Sequence, residues 1–463
     1  MARFASHFGL GGNTGSNKNS QVPEMTKVTS LPADDKSCGW YHLSPSRTPR
    51  PAHVGNRNAR WVVLGAGYVG LAAARQLALK FPDEEIVLIE AQEVGFGTAG
   101  RNAGFAIDLP HDIGAEDYIG DIGTAKISLR LNLTGQNYLK DLVAEHGINC
   151  QMKFCGKYQA AVEERGIAVL DAYRRGLEKL GQPFEVIEGA DLPDHIGTDF
   201  YRKALFTPGT ALIQPSALVK GLAESLPSNV TLYEWTPITD VEYGAKTVLR
   251  HANGSITADK LVLANNAFGG HFGFLKGTML PVFTYASLTR PMTAAEQARL
   301  GGKPYWGVIP ADPFGTTVRR TPDSRLLVRN SFSFNPSGRA DSKYLERFIS
   351  RHKASFDRRF PMLADVGIEY TWGGALAMSR NHESFFGQLA PNVYAALCCN
   401  GLGVTRGTAT GKLLADWLSG ERSDLIDFLL RSPGPNVNPP QPFLSLGVNA
   451  NLKWGQMRAG KES

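Results

Sequence analysis

Apolar and polar positions alternate between two periods along this chain. Trp61 to Leu64 is an unbroken apolar run of strand length, Leu71 to Lys80 an alanine- and leucine-rich helix, and Ile86 to Ile89 a second apolar strand, so together they predict one βαβ unit. Thr124 to His146 and Ile167 to Leu180 carry apolar residues at helical spacing, and Phe154 to Val162 between them reads as a strand. Further strands are predicted at Val230 to Leu232, Val248 to Arg250 and Lys260 to Ala264, and proline punctuation makes Gly301 to Ser333 a β-rich meander. Residues 1 to about 30 are rich in Gly, Asn, Ser and Thr without apolar period, which predicts a loosely packed arm. Cys38 to Pro51 reads as ordered but non-regular. Pro433, Pro435, Pro439, Pro440 and Pro442 predict an extended C-terminal tail.

The loop inside the βαβ unit carries the chemistry. Gly65-Ala66-Gly67-Tyr68-Val69-Gly70 sets glycines at the first, third and sixth positions, directly after a strand and before a helix. Gly65 permits the tight turn, Gly67 lets the backbone approach a pyrophosphate, and Gly70 allows close packing of helix on strand. The helix N-terminus offers its dipole and free N–H groups to the phosphates. Glu90, at the end of the second strand and followed by Ala91, stands where a carboxylate accepts both ribose hydroxyls and repels a 2′-phosphate. This pattern predicts a Rossmann-type dinucleotide site for FAD or NAD rather than NADP, without choosing between the first two.

Composition narrows the setting. The chain has 463 residues, 43% hydrophobic and 20% charged, enough for two joined domains with a large core. A net charge of +6 is spread widely, with no basic stripe interleaved by aromatics, which argues against a dedicated nucleic-acid binder. Five cysteines without Cys-x-x-Cys spacing point to a reducing, cytoplasmic compartment, and no metal-ligand set is assigned. No apolar run reaches the length of about eighteen residues that a membrane span needs, and no leader pattern opens the chain. Helices that lie in a lipid interface give only a weak sequence signal.

A second small-residue loop, Gly95 to Gly104, follows Glu90 closely and would bring more backbone N–H groups beside a long cofactor. After Thr98, its Ala99-Gly100-Arg101-Asn102-Ala103-Gly104 stretch resembles the Ser-Gly-Arg-Asn-Gly-Gly of the D-amino-acid oxidase superfamily of flavoproteins. Within it, the resemblance is to the branch of gamma-glutamylputrescine oxidase, glycine oxidase and monomeric sarcosine oxidase. Pro208 to Pro215, Lys260 to Phe268 with Ala264 and Asn265, Leu280 to Met292, Trp372 to His382 with Gly374, and Asn400 to Val404 followed by Thr405 are similar to further signatures of that superfamily, in the same order. Ala99 and Ala103 depart from the branch, which has serine or glycine there.

The resemblance implies an α/β fold, with a Rossmann-type FAD-binding domain and an inserted mixed-sheet α+β substrate domain. The expected boundaries are 1–56 for the N-terminal extension, 57–152, 206–270 and 369–430 for the FAD domain, 153–205 and 271–368 for the substrate domain, and 431–463 for the tail. It implies oxidation of the C–N bond of a small amine or amino acid by hydride transfer to flavin N5, with O2 accepting the electrons to give hydrogen peroxide. The alternative is a dehydrogenase that passes electrons to a quinone or another carrier; a nucleic-acid-modifying flavoprotein is a third reading. Because the Cys398-Cys399 pair does not match the tethering cysteine of sarcosine oxidases, FAD is expected to be non-covalent.

Gly401, Leu402 and Gly403, with a helix beginning near Gly407, are expected to place N–H groups where negative charge grows on the ring, with Arg406 either strengthening that locus or lying on the surface. His382 is the candidate to hydrogen-bond substrate, against a structural role. Arg320, Arg329 and Arg380 are candidate forks for a substrate carboxylate, against surface salt bridging, and Tyr158 and Tyr285 are candidate pocket hydroxyls, against core packing.

Overall fold

The computed structural model describes residues 25–110, 112, 115–338 and 342–463; the expected arm over residues 1–24 lies outside them. The βαβ unit forms as Gly55–Leu64, Tyr68–Lys80 and Ile86–Ile89. The first strand is longer than the apolar run predicts, because Gly254–Leu263 pairs in parallel along its whole length, from Gly55 opposite Gly254 to Leu64 opposite Leu263. Hydrogen bonding by a neighbour therefore extends the strand through the mostly polar stretch Asn56 to Arg60.

These strands lie near the middle of a nine-stranded sheet, ordered Met25–Lys27, Asp240–Glu242, Thr247–His251, Gly254–Leu263, Gly55–Leu64, Ile86–Ile89 and Val230–Tyr233; Val393–Leu397 also pairs with Gly254–Leu263 and carries Phe385–Ala390. Strand alternation sends Trp61 and Val63 to one core, under the helices Tyr68–Lys80 and Thr408–Leu418. It sends Val62 and Leu64 to a second core on the opposite face. A parallel sheet covered on both faces explains why these strands read as continuous apolar runs.

An eight-stranded sheet stands beside it, ordered Ile368–Ser379, Met279–Thr289, Leu326–Phe334, Thr317–Arg320, Trp306–Pro310, Lys157–Ala161, Lys203–Thr207 and Glu185–Glu188. Ile368–Ser379, expected in the FAD domain, pairs along Met279–Thr289 in this second sheet. The Phe154 to Val162 stretch divides into Lys153–Phe154 and Lys157–Ala161, which belong to different sheets, with Gly156 between them at φ +71°.

Two further expectations are corrected. Cys38 to Pro51 contains a short helix, Gly39–Leu43, whose Trp40 is buried. The C-terminal tail is extended only through its prolines and then forms a helix, Phe443–Arg458. That helix carries apolar residues on opposite faces, so no amphipathic period marked it. Among the described residues, no helix is long and apolar enough to cross a membrane.

Candidate active site

A cleft of about 420 Å³ runs between the two sheets. At one end lies the first glycine loop. Gly65 has φ +105°, and a Cβ there would stand 2.9 Å from the Ala264 carbonyl oxygen. A Cβ on Gly70 would fall 1.7 Å from the Gly65 carbonyl oxygen, so helix and loop meet backbone to backbone. The helix Tyr68–Lys80 has Gly67 at its N-cap and no side-chain cap, which leaves first-turn N–H groups for a ligand. Glu90 is held by the amides of Ala66 at 2.9 Å and Gln92 at 3.1 Å, one on each carboxylate oxygen. Burial raises its pKa, and each oxygen keeps acceptor capacity toward the cleft.

The second loop repeats the device five residues apart, since a Cβ on Gly100 would lie 2.0 Å from the Gly95 carbonyl oxygen. Its carbonyls are engaged from outside. Trp372 Nε1 donates to Arg101 O at 3.0 Å, Trp40 Nε1 to Asn102 O at 3.0 Å, and one Arg319 Nη to Ala103 O and Gly104 O, each at 3.1 Å. In a trans peptide the next N–H points opposite the C=O, so this clamp turns the amides of Asn102 and Ala103 inward. Arg319 is buried without a salt bridge among the described residues, and burial pulls its pKa down to about 10. The Asn102 side chain closes the loop on Ala99 O at 2.7 Å and the Gly104 amide at 2.9 Å.

Arg101 reaches away from the loop's small residues. It donates to Phe96 O at 2.8 Å and Gly373 O at 3.0 Å, reaches Asp35 O, and pairs with Asp34 at 3.5 Å and Asp35 at 3.3 Å. Those acids belong to an N-terminal strap. Its strand Met25–Lys27 pairs with Asp240–Glu242, and its Ser30, Leu31, Pro32 and Asp34 line the cleft. The strap was missed because nothing periodic marks it; its signal is the acidic pair Asp34-Asp35 set against a buried arginine.

At the far end, Asn400, Gly401, Leu402, Gly403 and Val404 line the cleft, followed by a π-helical turn, Gly403–Gly407, and the helix Thr408–Leu418. The Asn400 side chain braces this loop, accepting from the Ser379 amide at 2.8 Å and donating to His382 O at 3.0 Å. Arg406 is half-buried behind the loop rather than on the surface, and burial lowers its pKa. Cys399 also lines the cleft, with Asn266 Nδ2 at 3.6 Å from its sulfur. All five cysteines are free.

The predicted substrate residues separate into two groups. Arg329 and Tyr285 line the cleft, beside Thr317 and Phe332. Arg329 is half-buried, with Thr317 Oγ1 at 3.5 Å, the Phe332 ring 5.2 Å away and no salt bridge among the described residues. Burial lowers its pKa to about 10. Tyr285 stacks on Phe348 at 3.6 Å and meets Ser333 Oγ at 2.7 Å.

The other four stand away from the cleft. Arg320 neighbours Arg319 on a strand, so it points to the opposite face and binds Gly301 O at 3.0 Å and Gln297 Oε1 at 3.2 Å. Arg380 is exposed and reaches Val437 O at 3.3 Å. Tyr158 is buried against His195 Nδ1 at 3.1 Å. His382 sits in a turn at φ +59°, its Nδ1 buried without a hydrogen-bond partner among the described residues, and burial lowers its pKa. Of the predicted cofactor residues, Gly70, Gly100, Gly104 and Thr405 shape the cleft from behind, Thr405 by donating to Ile107 O at 2.9 Å; the others line it.

The cleft has what a bound dinucleotide requires: an uncapped helix start against a glycine cradle, an inward amide edge and a buried carboxylate. Asn265, which lines it, has both side-chain polar atoms buried without a partner among the described residues, as expected of a group that serves a ligand. The sequence profile of DAO, the FAD dependent oxidoreductase family, matches residues 60–417. The chain belongs to that family. It is 27% identical over 394 residues to gamma-glutamylputrescine oxidoreductase of Escherichia coli (strain K12), covering 83% of this chain and 90% of the relative. It is 26% identical over 431 residues to the probable oxidoreductase OrdL of Rhizobium meliloti (strain 1021), covering 90% and 96%. Glycine oxidase from Geobacillus kaustophilus superposes with a TM-score of 0.66 at 17% identity, over 83% of this chain and all of that one. L-proline dehydrogenase from P. horikoshii superposes with a TM-score of 0.61 at 17% identity, over 81% and 97%. The fold is thus that of this family's FAD-dependent oxidoreductases.

Proposed function

We propose that this oxidoreductase acts on a small amino acid or other carboxylate-bearing amine, breaking a C–H bond next to nitrogen, with O2 as the final acceptor and imine, then carbonyl product and hydrogen peroxide as the outcome. FAD, when bound, supplies the hydride acceptor. Its diphosphate would rest on the amides after Gly65 and on those of Asn102 and Ala103, its ribose on Glu90, and its ring beside Ala103, Gly374 and the Gly401 to Val404 loop. That loop and Arg406 behind it would stabilise negative charge growing on the ring.

The observation that carries this reading is Arg329. A guanidinium lining a cleft without a carboxylate partner is costly unless an anion completes it, and a carboxylate fits its fork. Around it stand Thr317 and Phe332, whereas the cleft's described carboxylates, Asp34, Glu90 and Glu93, belong to the strap and the turn after Ile89. A free diamine finds no counter-charge beside Arg329 among the described residues, while an amino acid with a modest apolar side chain finds both an anchor and a wall. The names of gamma-glutamylputrescine oxidoreductase and glycine oxidase support the amine class.

Anaerobic mixing with a panel of amines tests this reading, because bleaching of the bound flavin reports the half-reaction whatever the acceptor. Carboxylate-bearing amines should bleach it. Bleaching by diamines alone would overturn the assignment. Peroxide formed in air would support the oxidase; turnover only with an added quinone would favour the dehydrogenase. FAD is held non-covalently in this reading, since burial raises the pKa of the Cys399 thiol and keeps it protonated and poorly nucleophilic. Acid precipitation should then release intact FAD, and flavin retained by the pellet would refute that part. The free cysteines accord with a cytoplasmic setting.

A further inference from the structure

The C-terminal helix Phe443–Arg458 touches the body along one narrow face. Leu452 and Gly455 are its buried residues, a Cβ on Gly455 would lie 2.3 Å from the Phe314 ring, and Gln456 donates to Phe332 O at 3.0 Å. At 3.6 residues per turn, Phe443, Leu446, Ala450, Trp454 and Met457 fall on the side opposite Leu452, in an arc about 80° wide. The arc is bare: Phe443 is 68% exposed, Leu446 66%, Trp454 53% and Met457 70%. Lys453 and Arg458 stand on its two borders, both exposed, and the Arg458 guanidinium lies 4.1 Å from the Trp454 ring. The helix contains neither Asp nor Glu.

We propose that this helix seats the protein on an anionic lipid surface. It would lie in the plane of the interface, with Phe443, Leu446, Trp454 and Met457 at the acyl boundary and Lys453 and Arg458 on headgroup phosphates. A helix apolar on both faces and covered on only one leaves apolar area to be buried by a partner. The bordering cations decide which partner. In a two-fold pair built on this face, the same acid-free surface meets itself, so Lys453 and Arg458 find no counter-charge on the partner helix. Lipid phosphates supply that charge, and an apolar stripe with an aromatic ring, edged by basic residues, is the arrangement interfacial helices use. This assignment is independent of the substrate reading.

The test uses the full-length, FAD-loaded protein, sedimented with vesicles of phosphatidylcholine alone or mixed with phosphatidylglycerol. Partition onto the mixed vesicles should exceed that onto the neutral ones by about tenfold. A W454S/M457S double variant should lower it by about tenfold, and a K453Q/R458Q variant should remove the preference for anionic lipid. Both variants alter exposed side chains, and unchanged flavin absorbance and melting temperature confirm their fold. Wild-type protein left in the supernatant with both vesicles overturns the proposal, as does pelleting that neither variant changes or that ignores lipid charge. A dimer that dissociates in W454S/M457S would assign the face to a second copy instead.

Discussion

The two ends of the cleft are built by different means. At the dinucleotide end the surface is mainly backbone: an uncapped helix start, two glycine loops whose Cβ-less residues touch carbonyls, and amides turned inward by Trp40, Trp372 and Arg319. At the substrate end it is mainly side chain: Thr284, Thr317, Arg329 and Phe332 come from three strands of the second sheet. A backbone site tolerates changes in most side chains but no added Cβ at the contact. A side-chain site admits substitution without loss of fold and changes its ligand instead.

That contrast makes the largest effect a single methyl group. Gly70→Ala places a Cβ 1.7 Å from the Gly65 carbonyl oxygen, so it meets backbone rather than the end of a flexible side chain. FAD affinity, read by flavin fluorescence on titrating the apoprotein, should fall by about a hundredfold or more. Wild-type affinity in this variant would show that the loop is not held by close packing. Next in size is Arg329→Met, which keeps the stem and removes the fork. It should lower kcat/KM for a carboxylate-bearing substrate by about thirtyfold while leaving FAD affinity unchanged. An equal loss with a substrate lacking the carboxylate would break the contrast, because Arg329 would then be acting on the cofactor or the fold.

The same contrast explains what was legible in the sequence. The βαβ unit, the fingerprint and Glu90 sit within thirty residues, and each has a local cause: an apolar run, a positive φ, a helix start. Arg319 and Arg320 show the limit. Adjacent on one strand, they face opposite sides, and only the pairing of Thr317–Arg320 with its neighbours tells which one reaches the second loop. Tyr158 and Tyr285 were equal candidates, and the register of the second sheet, set by contacts far apart in sequence, buried both rings in cores, Tyr285 also bordering the cleft. The strap and the C-terminal helix escaped for another reason: the first has no period, and the second has apolar residues on both faces.

The strap offers a smaller, intermediate test, since it adds side-chain support to the backbone end. Arg101 ties the second loop to Asp34, Asp35 and Gly373 O at once. Arg101→Gln should weaken FAD binding by about tenfold, less than the glycine change, because the loop keeps its other clamps. Deleting residues 1–35 should give a similar loss with faster flavin release. Unchanged release after the deletion would mean that the strap lines the cleft without retaining the cofactor.

The smallest effect lies behind the substrate end. His352 is buried, with Nδ1 2.7 Å from Ser287 Oγ, on the strand that also carries Tyr285, and burial lowers its pKa to about 4. The unfolded chain takes up a proton near pH 6.5 that the folded protein refuses until far lower pH. With more protons bound in the unfolded state, stability must fall as pH falls below about 6.5, and it continues to fall until the folded pKa is reached. Between about pH 7 and pH 5.5 the loss from this group should be about 1 kcal/mol. Urea unfolding of wild type and His352→Gln across that range isolates it: the variant should show a shallower decline, and parallel curves would move the pH sensitivity elsewhere. A shallower decline in the variant, with FAD affinity flat over the same range, would confirm that the side-chain end depends on a neutral buried imidazole while the backbone end does not.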